Sequence, residues 1–358
     1  MTLDFRLRQA WTIARLELRR VFFSKRSFWV YALALFPALI FLVHGISERR
    51  HRQNWEPRKV DAALVEQVQQ GQRENEVIAR LGPAIEDHTY RTRTRDEARR
   101  RIEGRYLMYF DGQRRIHLNF EEGVLVQRRS NQMDSGEGDR QAYAGVFQYF
   151  YLRLAIFFGC LGIFMNLFRG EMLDKTLHFW FLAPVRREVL LAGKYLAGLI
   201  AAVLIFTSGA VLSFGLMLWG MSPAESSAYW TEQGPAHLLA YASAAALACL
   251  GYGSVFLASG LLLRNPIVPA VVLLFWEGIN GFLPVLLQKL SVLYYVQSLC
   301  PVPAPMDSGA PALLRLLLAP AEPAEPWAAV LGIAGVTALV LWVASIAVRR
   351  LEINYGTE

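Results

Sequence analysis

Long apolar runs alternate with short polar breaks along most of this chain. The runs at 28–46, 150–168, 195–219, 236–263, 266–287 and 327–348 are each near or above the length that crosses a bilayer as a helix. The fifth is the least regular. Gly278, Gly281 and Pro284 weaken its second half, and Gln288-Lys289 interrupts the apolar pattern before Leu290–Leu299 resumes it. That spacing predicts a re-entrant pair of short helices around Gly281–Leu299, which is tolerated at membrane depth when buried in protein. Ahead of the first run, Leu3, Leu7, Trp11, Ala14, Leu18 and Val21-Phe22 recur at spacings of three and four. Arg6, Arg15, Glu17, Arg19 and Arg20 lie largely off that stripe, so residues 1–27 read as a basic amphipathic helix in the headgroup plane.

Residues 47–148 form the one soluble-looking block, long enough for a small domain. Asp61–Leu81 reads as a helix ending at Gly82-Pro83. Thr94–Gly104 reads as a second helix, with Thr94 and Glu97 at capping-box spacing. Arg105–Phe110 and Arg115–Phe120 flank Asp111-Gly112, the signature of a hairpin, and Val124–Arg128 supplies a third strand. Ser130–Arg140 reads as a flexible return to the membrane. The expected fold is therefore an all-α polytopic membrane protein of six helices carrying a small α+β unit between the first two, with residues 149–358 holding the other five.

Charge then orients the spans. The chain of 358 residues is 54% hydrophobic with a formal net charge of +7, too apolar for an ordinary soluble enzyme. Lys25, Arg26, the 169–194 loop, Arg264, Arg349 and Arg350 all flank one set of span ends, which the positive-inside tendency places in the cytoplasm together with both termini. The 220–235 loop has Glu225 and Glu232 but no Lys or Arg, and belongs outside. Nucleic-acid binding explains the basic excess poorly. Three cysteines, two of them inside spans, imply no disulfide framework. No phosphate-cradling glycine loop, HExxH, CxxC or GxSxG occurs, and the six histidines show no ligand spacing, so neither a catalytic centre nor a metal site is expected.

The most informative stretch is the 169–194 loop. Leu173, Leu177 and Phe181 recur at spacing four and would share one helix face; Pro184 stops that helix. Arg186, Arg187 and Lys194 form a basic collar at the mouth of the next span. Two readings fit the spacing: an amphipathic helix resting on headgroups, or a lever that another protein pushes. The run Glu171, Asp174-Lys175-Thr176-Leu177, Leu182-Ala183-Pro184-Val185-Arg186-Arg187 and Gly193-Lys194 resembles the loop after the second span of ABC type-2 exporter permeases. It departs where Asp174-Lys175 replaces a glycine before the threonine and where Trp180-Phe181 replaces part of a leucine pair. The resemblance extends to the membrane layout but not to 47–148.

The resemblance implies an interfacial elbow helix at 1–27, re-entrant outer helices before the last span, and a coupling helix carried by Glu171, Asp174, Thr176, Leu177, Phe181, Pro184 and Arg186. It also implies an ABC ATPase subunit as partner, with ATP and Mg held there and no cofactor in this chain, a second permease subunit as homodimer or heterodimer mate, surrounding lipids, and a bacterial inner membrane. Glu277, with Asn280 one turn on, is the candidate for the substrate path; the bland alternative is a packing hydrogen bond. Two other functions are open on the sequence: a membrane enzyme acting on a lipid-linked substrate with Glu277 as acid or base, and an ATPase-coupled protein that transmits force through 47–148 without transport.

Overall fold

The computed structural model describes residues 3–24, 27–93, 101–112, 114–132, 136–182, 184–263, 267–280, 285–303, 305 and 323–350. The chain divides into two compact units, one of 1–42, 140–219 and 226–358, the other of 43–139 and 220–225. The second unit starts four residues and ends nine residues before the bounds of the expected 47–148 block, and it also includes 220–225.

The first unit is helical. It contains α1 (Leu3–Phe23), the start of α2 (Ser27–Trp55), a rod over Gly136–Leu173, α7 (Leu177–Leu182), α8 (Arg187–Gly220), α9 (Pro223–Glu232), α10 (Gly234–Leu262), α11 (Ile267–Gly278), α12 (Val285–Gln288), α13 (Val292–Ser298) and α14 (Pro326–Arg349). The rod is α5 (Gly136–Gly145), a π-helical stretch (Val146–Ile156) and α6 (Phe157–Leu173). Five of these helices are long and apolar enough to cross a membrane: Ser27–Trp55, Gly136–Leu173, Arg187–Gly220, Gly234–Leu262 and Pro326–Arg349. The chain is an integral multi-pass membrane protein. The fifth predicted span does not form one crossing rod. α11 stops after 12 residues, about 18 Å at 1.5 Å per residue against a hydrocarbon core of about 30 Å. Two short helices follow it, as the glycines and Gln288-Lys289 led us to expect.

α10 is the hub of this bundle and packs against α6, α13 and α14. Small residues permit the approach. Phe164 of α6 lies against Gly198 of α8 and Gly253 of α10, where an added Cβ would meet its ring at 2.7 and 2.5 Å. Without a hydrophobic drive between helices in lipid, such close packing supplies much of the association energy. In α1 the buried residues are Ile13, Ala14 and Glu17, whereas Leu7 and Trp11 of the expected apolar stripe are exposed. The reason is steric. The small face of α1 meets Gly193 of α8, where a Cβ would come within 2.8 Å of the Ala10 carbonyl oxygen; the bulky residues are left facing away from the bundle.

The second unit is a four-stranded antiparallel sheet in the order β1 (Glu86–Arg93), β2 (Arg101–Phe110), β3 (Arg114–Glu121), β4 (Val124–Gln132), with α3 (Ala62–Glu66) and α4 (Glu74–Leu81) covering one face. Val65, Val68, Val77 and Leu81 pack on Leu107, Tyr109, Leu118 and Phe120. The Asp111-Gly112 hairpin forms as expected, with Gly112 at φ 99° and the Arg114 amide donating to Asp111 Oδ1 at 2.6 Å. Three expectations fail here. The Asp61–Leu81 helix is two helices, because Gly71 adopts φ 93° and 71–72 pair with Leu125 through backbone bonds of 2.9 Å. Residues 101–104 belong to β2 and pair with β1, so a helix over Thr94–Gly104 does not form; residues 94–100 lie outside the described residues. The hinge expected over Ser130–Arg140 is instead the end of β4 and the start of α5, with 133–135 outside the described residues. Across the sheet Arg105 grips Asp87 in a two-pronged pair, Nε to Oδ1 at 2.8 Å and a terminal nitrogen to Oδ2 at 2.6 Å. That hydrogen bonding holds the Asp87 carboxyl below the usual carboxylate range.

Candidate functional site

The loop between α6 and α8 begins with a left-handed helix stop. The Thr176 amide donates to the Glu171 carbonyl at 2.9 Å and the Lys175 amide to that of Met172 at 3.3 Å, the paired bonds of a Schellman cap. Such a cap needs its central residue left-handed, and Lys175 sits at φ 54°, a conformation that glycine adopts at least cost. In this chain a lysine, not a glycine, holds the left-handed position. α7 follows, then the exposed Pro184, whose carbonyl accepts from the Gln9 side chain of α1 at 3.5 Å. Arg186, also exposed, starts α8 through its carbonyl, which accepts from the amides of Val189 and Leu190 at 2.9 and 3.1 Å.

Behind this loop lies a buried charge cluster. Lys194, fully buried in the first turns of α8, places Nζ 2.6 Å from Glu17 Oε1 and 2.9 Å from Glu171 Oε1. The same ammonium lies over the rings of Trp180 and Phe168, at 5.2 and 5.5 Å from their centroids. Arg20 of α1 bridges outward, 3.2 Å from Glu171 Oε1 and 3.4 Å from Asp174 Oδ2. Trp180 of α7 donates its indole N–H to Glu171 Oε1 at 3.1 Å. Glu171 Oε1 thus meets Lys194, Arg20 and Trp180, while its Oε2 is buried without a hydrogen-bond partner among the described residues. A cavity of about 230 Å³ opens beside the cluster, with Glu17, Arg20, Ser24, Ser27, Asn166 and Asp174 among its lining. Five segments, α1, α6, the 174–176 turn, α7 and α8, are tied through one set of charges.

Several expectations change at this point. Lys194 is not part of a surface collar but the centre of the cluster. Arg187 closes the bottom of α14, donating to the Arg349 carbonyl at 2.9 Å. Leu173 and Leu177 do not share a face, since the cap at Lys175 separates their helices. Leu177 is fully buried in its own chain, whereas Leu173 is 61% exposed. The Phe181 side chain lies outside the described residues. Among the described side chains, the apolar residues that α7 presents outward are Leu182, 80% exposed, and Phe179, 64% exposed. Glu17 and Arg20 complete the site, and hydropathy alone does not single them out. The available signal is local: Glu17 continues the small stripe Ala10, Ile13, Ala14 at spacings of three and four, an acid where the packing face should be apolar.

The second candidate, Glu277, ends α11 and caps another helix. Its carboxylate accepts from the Val292 amide at 3.2 Å, from the Leu293 amide at 3.5 Å and from the Ser291 hydroxyl. Ser291 in turn accepts from the Tyr294 amide at 3.1 Å. Glu277 therefore neutralises the N-terminus of α13, where backbone N–H groups lack partners and the helix dipole favours negative charge. Asn280, expected as its partner, is buried nearby in sequence but leaves its Oδ1 without a hydrogen-bond partner among the described residues. Comparison with family models, with curated proteins and with solved structures finds no match to this chain.

Proposed function

We propose that this chain is the permease subunit of an ABC-type exporter, coupling ATP hydrolysis in a separate subunit to movement of a substrate across the membrane. The observation that carries the reading is the charge cluster. A short helix exposing Leu182 and Phe179 is bound by Glu171, Lys194 and Trp180 to the ends of two long helices and to α1, so a push on α7 is delivered to all three. A headgroup-resting helix has no need of such a tie. α1 takes the part of the elbow helix, and Gly193-Lys194 gains a physical role: the glycine admits α1, the lysine binds it. ATP and Mg are held by the partner, two permease chains form the working unit, and the membrane is the inner membrane of a bacterium.

Both termini lie in the cytoplasm in this reading. α1 packs on the start of α8, and Arg349 at the end of α14 pairs with Glu188 at 2.6 Å at that same start. Chain ends gathered at one end of a bundle favour an even number of crossings, so the broken segment α11–α13 supplies the sixth. Labelling tests this. In a chain with Cys300 replaced by serine and the buried Cys160 and Cys249 kept as the unlabelled background, a cysteine added at Gln127 or Glu225 should react with an impermeant thiol reagent in intact cells, and one at Lys175 only after permeabilisation. Labelling of the Lys175→Cys protein in intact cells would overturn the topology and, with it, a cytoplasmic coupling loop.

A further inference from the structure

Arg153 is the one charged residue in the 28 positions from Gln141 to Phe168. It lies thirteen residues after Arg140 and sixteen before Arg169 in a continuous helical rod, so roughly 20 Å separate it from either flank. A guanidinium on a side chain of about 6 Å cannot bridge that distance to the headgroups when the hydrocarbon core is about 30 Å thick. Three buried charges elsewhere in the bundle have partners, although Arg6 Nε and Glu171 Oε2 are also buried without a hydrogen-bond partner among the described residues. Lys194 meets two carboxylates, Glu171 two cations and an indole, Glu277 three donors. Arg153 is not answered. It makes no ion pair among the described residues, its Nε is buried without a hydrogen-bond partner, the Tyr149 ring centre lies 5.7 Å from the guanidinium carbon, and the buried Tyr252 hydroxyl is within its electrostatic reach. Stacking on a ring occupies the face of the guanidinium and leaves its in-plane donors available.

The backbone at this point is also unusual. Arg153 lies in the π-helical stretch Val146–Ile156, a geometry that is rare and recurs at functional positions. A charge within a span is rare, and where it persists it marks a path or a ligand. The fork of an arginine matches the paired oxygens of a phosphate or carboxylate, and the interaction strengthens where water is scarce.

We propose that Arg153 binds the oxyanionic group, phosphate or carboxylate, of a molecule held within the membrane bundle. Naming that molecule as the exporter's cargo rests on the function proposed above; the binding itself does not. Its surroundings, Tyr149 and the apolar residues of the rod, favour an amphiphile over a small soluble anion.

The test uses the purified full chain in a neutral detergent, without any ATPase, so a failure here is separate from a failure of the exporter reading. Thermal stabilisation is titrated with dodecyl phosphate, with inorganic phosphate and with dodecyltrimethylammonium. The native chain should be stabilised by dodecyl phosphate and not by the cationic amphiphile. R153Q should bind dodecyl phosphate about tenfold more weakly or worse, and R153K, which keeps the charge but not the fork, should fall between. Stabilisation by inorganic phosphate at similar concentration would assign the oxyanion to a soluble solute and still uphold the site. Equal affinity in the native chain, R153K and R153Q would overturn it, as would equal stabilisation by the cationic amphiphile. Should R153Q fail to fold, R153K decides: an unchanged affinity for dodecyl phosphate relative to an unchanged Tm overturns fork recognition.

Discussion

Replacing Lys194 by methionine should destabilise the protein by about 3–5 kcal/mol, the cost typical of removing one partner from a buried ion pair. The size follows from what remains. Methionine fills a similar volume, so packing is largely kept, but Glu17 and Glu171 are then two buried carboxylates left with the half-exposed Arg20 as the cation paired to Glu171 among the described residues. Their repulsion and desolvation act together. The triple substitution Glu17→Gln, Glu171→Gln, Lys194→Met removes the stranded charges and should recover most of the loss, because a buried ion pair contributes little against a neutral, well-packed replacement. Thermal unfolding of the purified proteins in detergent measures both. A single variant that melts with the native chain would mean that the cluster does not tie α1 to α8. Recovery of stability in the triple variant without recovery of coupled function would separate the tie's mechanical role from its energetic one.

Glu277→Leu should be the next most damaging change, at about 3 kcal/mol. Leucine leaves the Ser291 hydroxyl and the amides of Val292 and Leu293 without their acceptor inside the bundle, and each buried unsatisfied donor costs about 1–3 kcal/mol before relaxation. Glu277→Gln should cost only about 1 kcal/mol. Its carbonyl oxygen still accepts from the two amides, and the serine hydroxyl can reverse to accept from the new NH2. The comparison is made on thermal midpoints of the two variants in the same detergent. Equal loss for both would show that the charge itself, and not the cap, is what the site requires. The capping geometry also weakens Glu277 as a proton-transferring group, since all its described contacts are donors from its own chain. Arg153 is a second ionisable residue within the bundle, but an arginine does not release its proton at physiological pH and so supplies no acid or base.

The apolar runs were legible because span length and hydropathy are global properties of a segment, insensitive to neighbours. What they could not convey was where each helix stops. The rod from Gly136 to Leu173 begins well before the apolar run at 150, since Gly136–Gly145 is polar in composition and helical only in context. Loop chemistry was legible where a single residue dictates geometry, as at Gly112, and illegible where an unsuited residue is held in place. Glu122 at φ 49° and Gly123 at φ 78° make the tight β3–β4 turn, and a glutamate there gives no warning. The Thr94–Gly104 reading failed through tertiary override. A capping-box spacing is a local signal, but Arg101–Gly104 find partners in β1, itself a strand with polar residues on both faces and hence no alternation to read. The candidate site divides the same way. Glu171, Asp174 and Lys194 stood out by motif, whereas Glu17 and Arg20 join them from more than 150 residues away, and no spacing rule reaches that far.

The central claim, that a separate ATPase drives this chain through α7, is tested most directly by isolating the tagged chain from its native membrane with and without Leu182→Asp. Leu182 is chosen because it is the most exposed apolar residue of α7 among the described side chains and makes none of the charge cluster's bonds, so its replacement should leave the fold intact. The native chain is expected to bring down, in equal amount, a subunit that hydrolyses ATP and carries its own phosphate-binding loop. The variant should insert and melt normally yet lose that subunit about thirtyfold, the effect of placing a charge where an apolar anchor docks in a desolvated groove. Isolation of the native chain at full yield with no nucleotide-hydrolysing partner, or undiminished partner and hydrolysis in Leu182→Asp, would contradict the account.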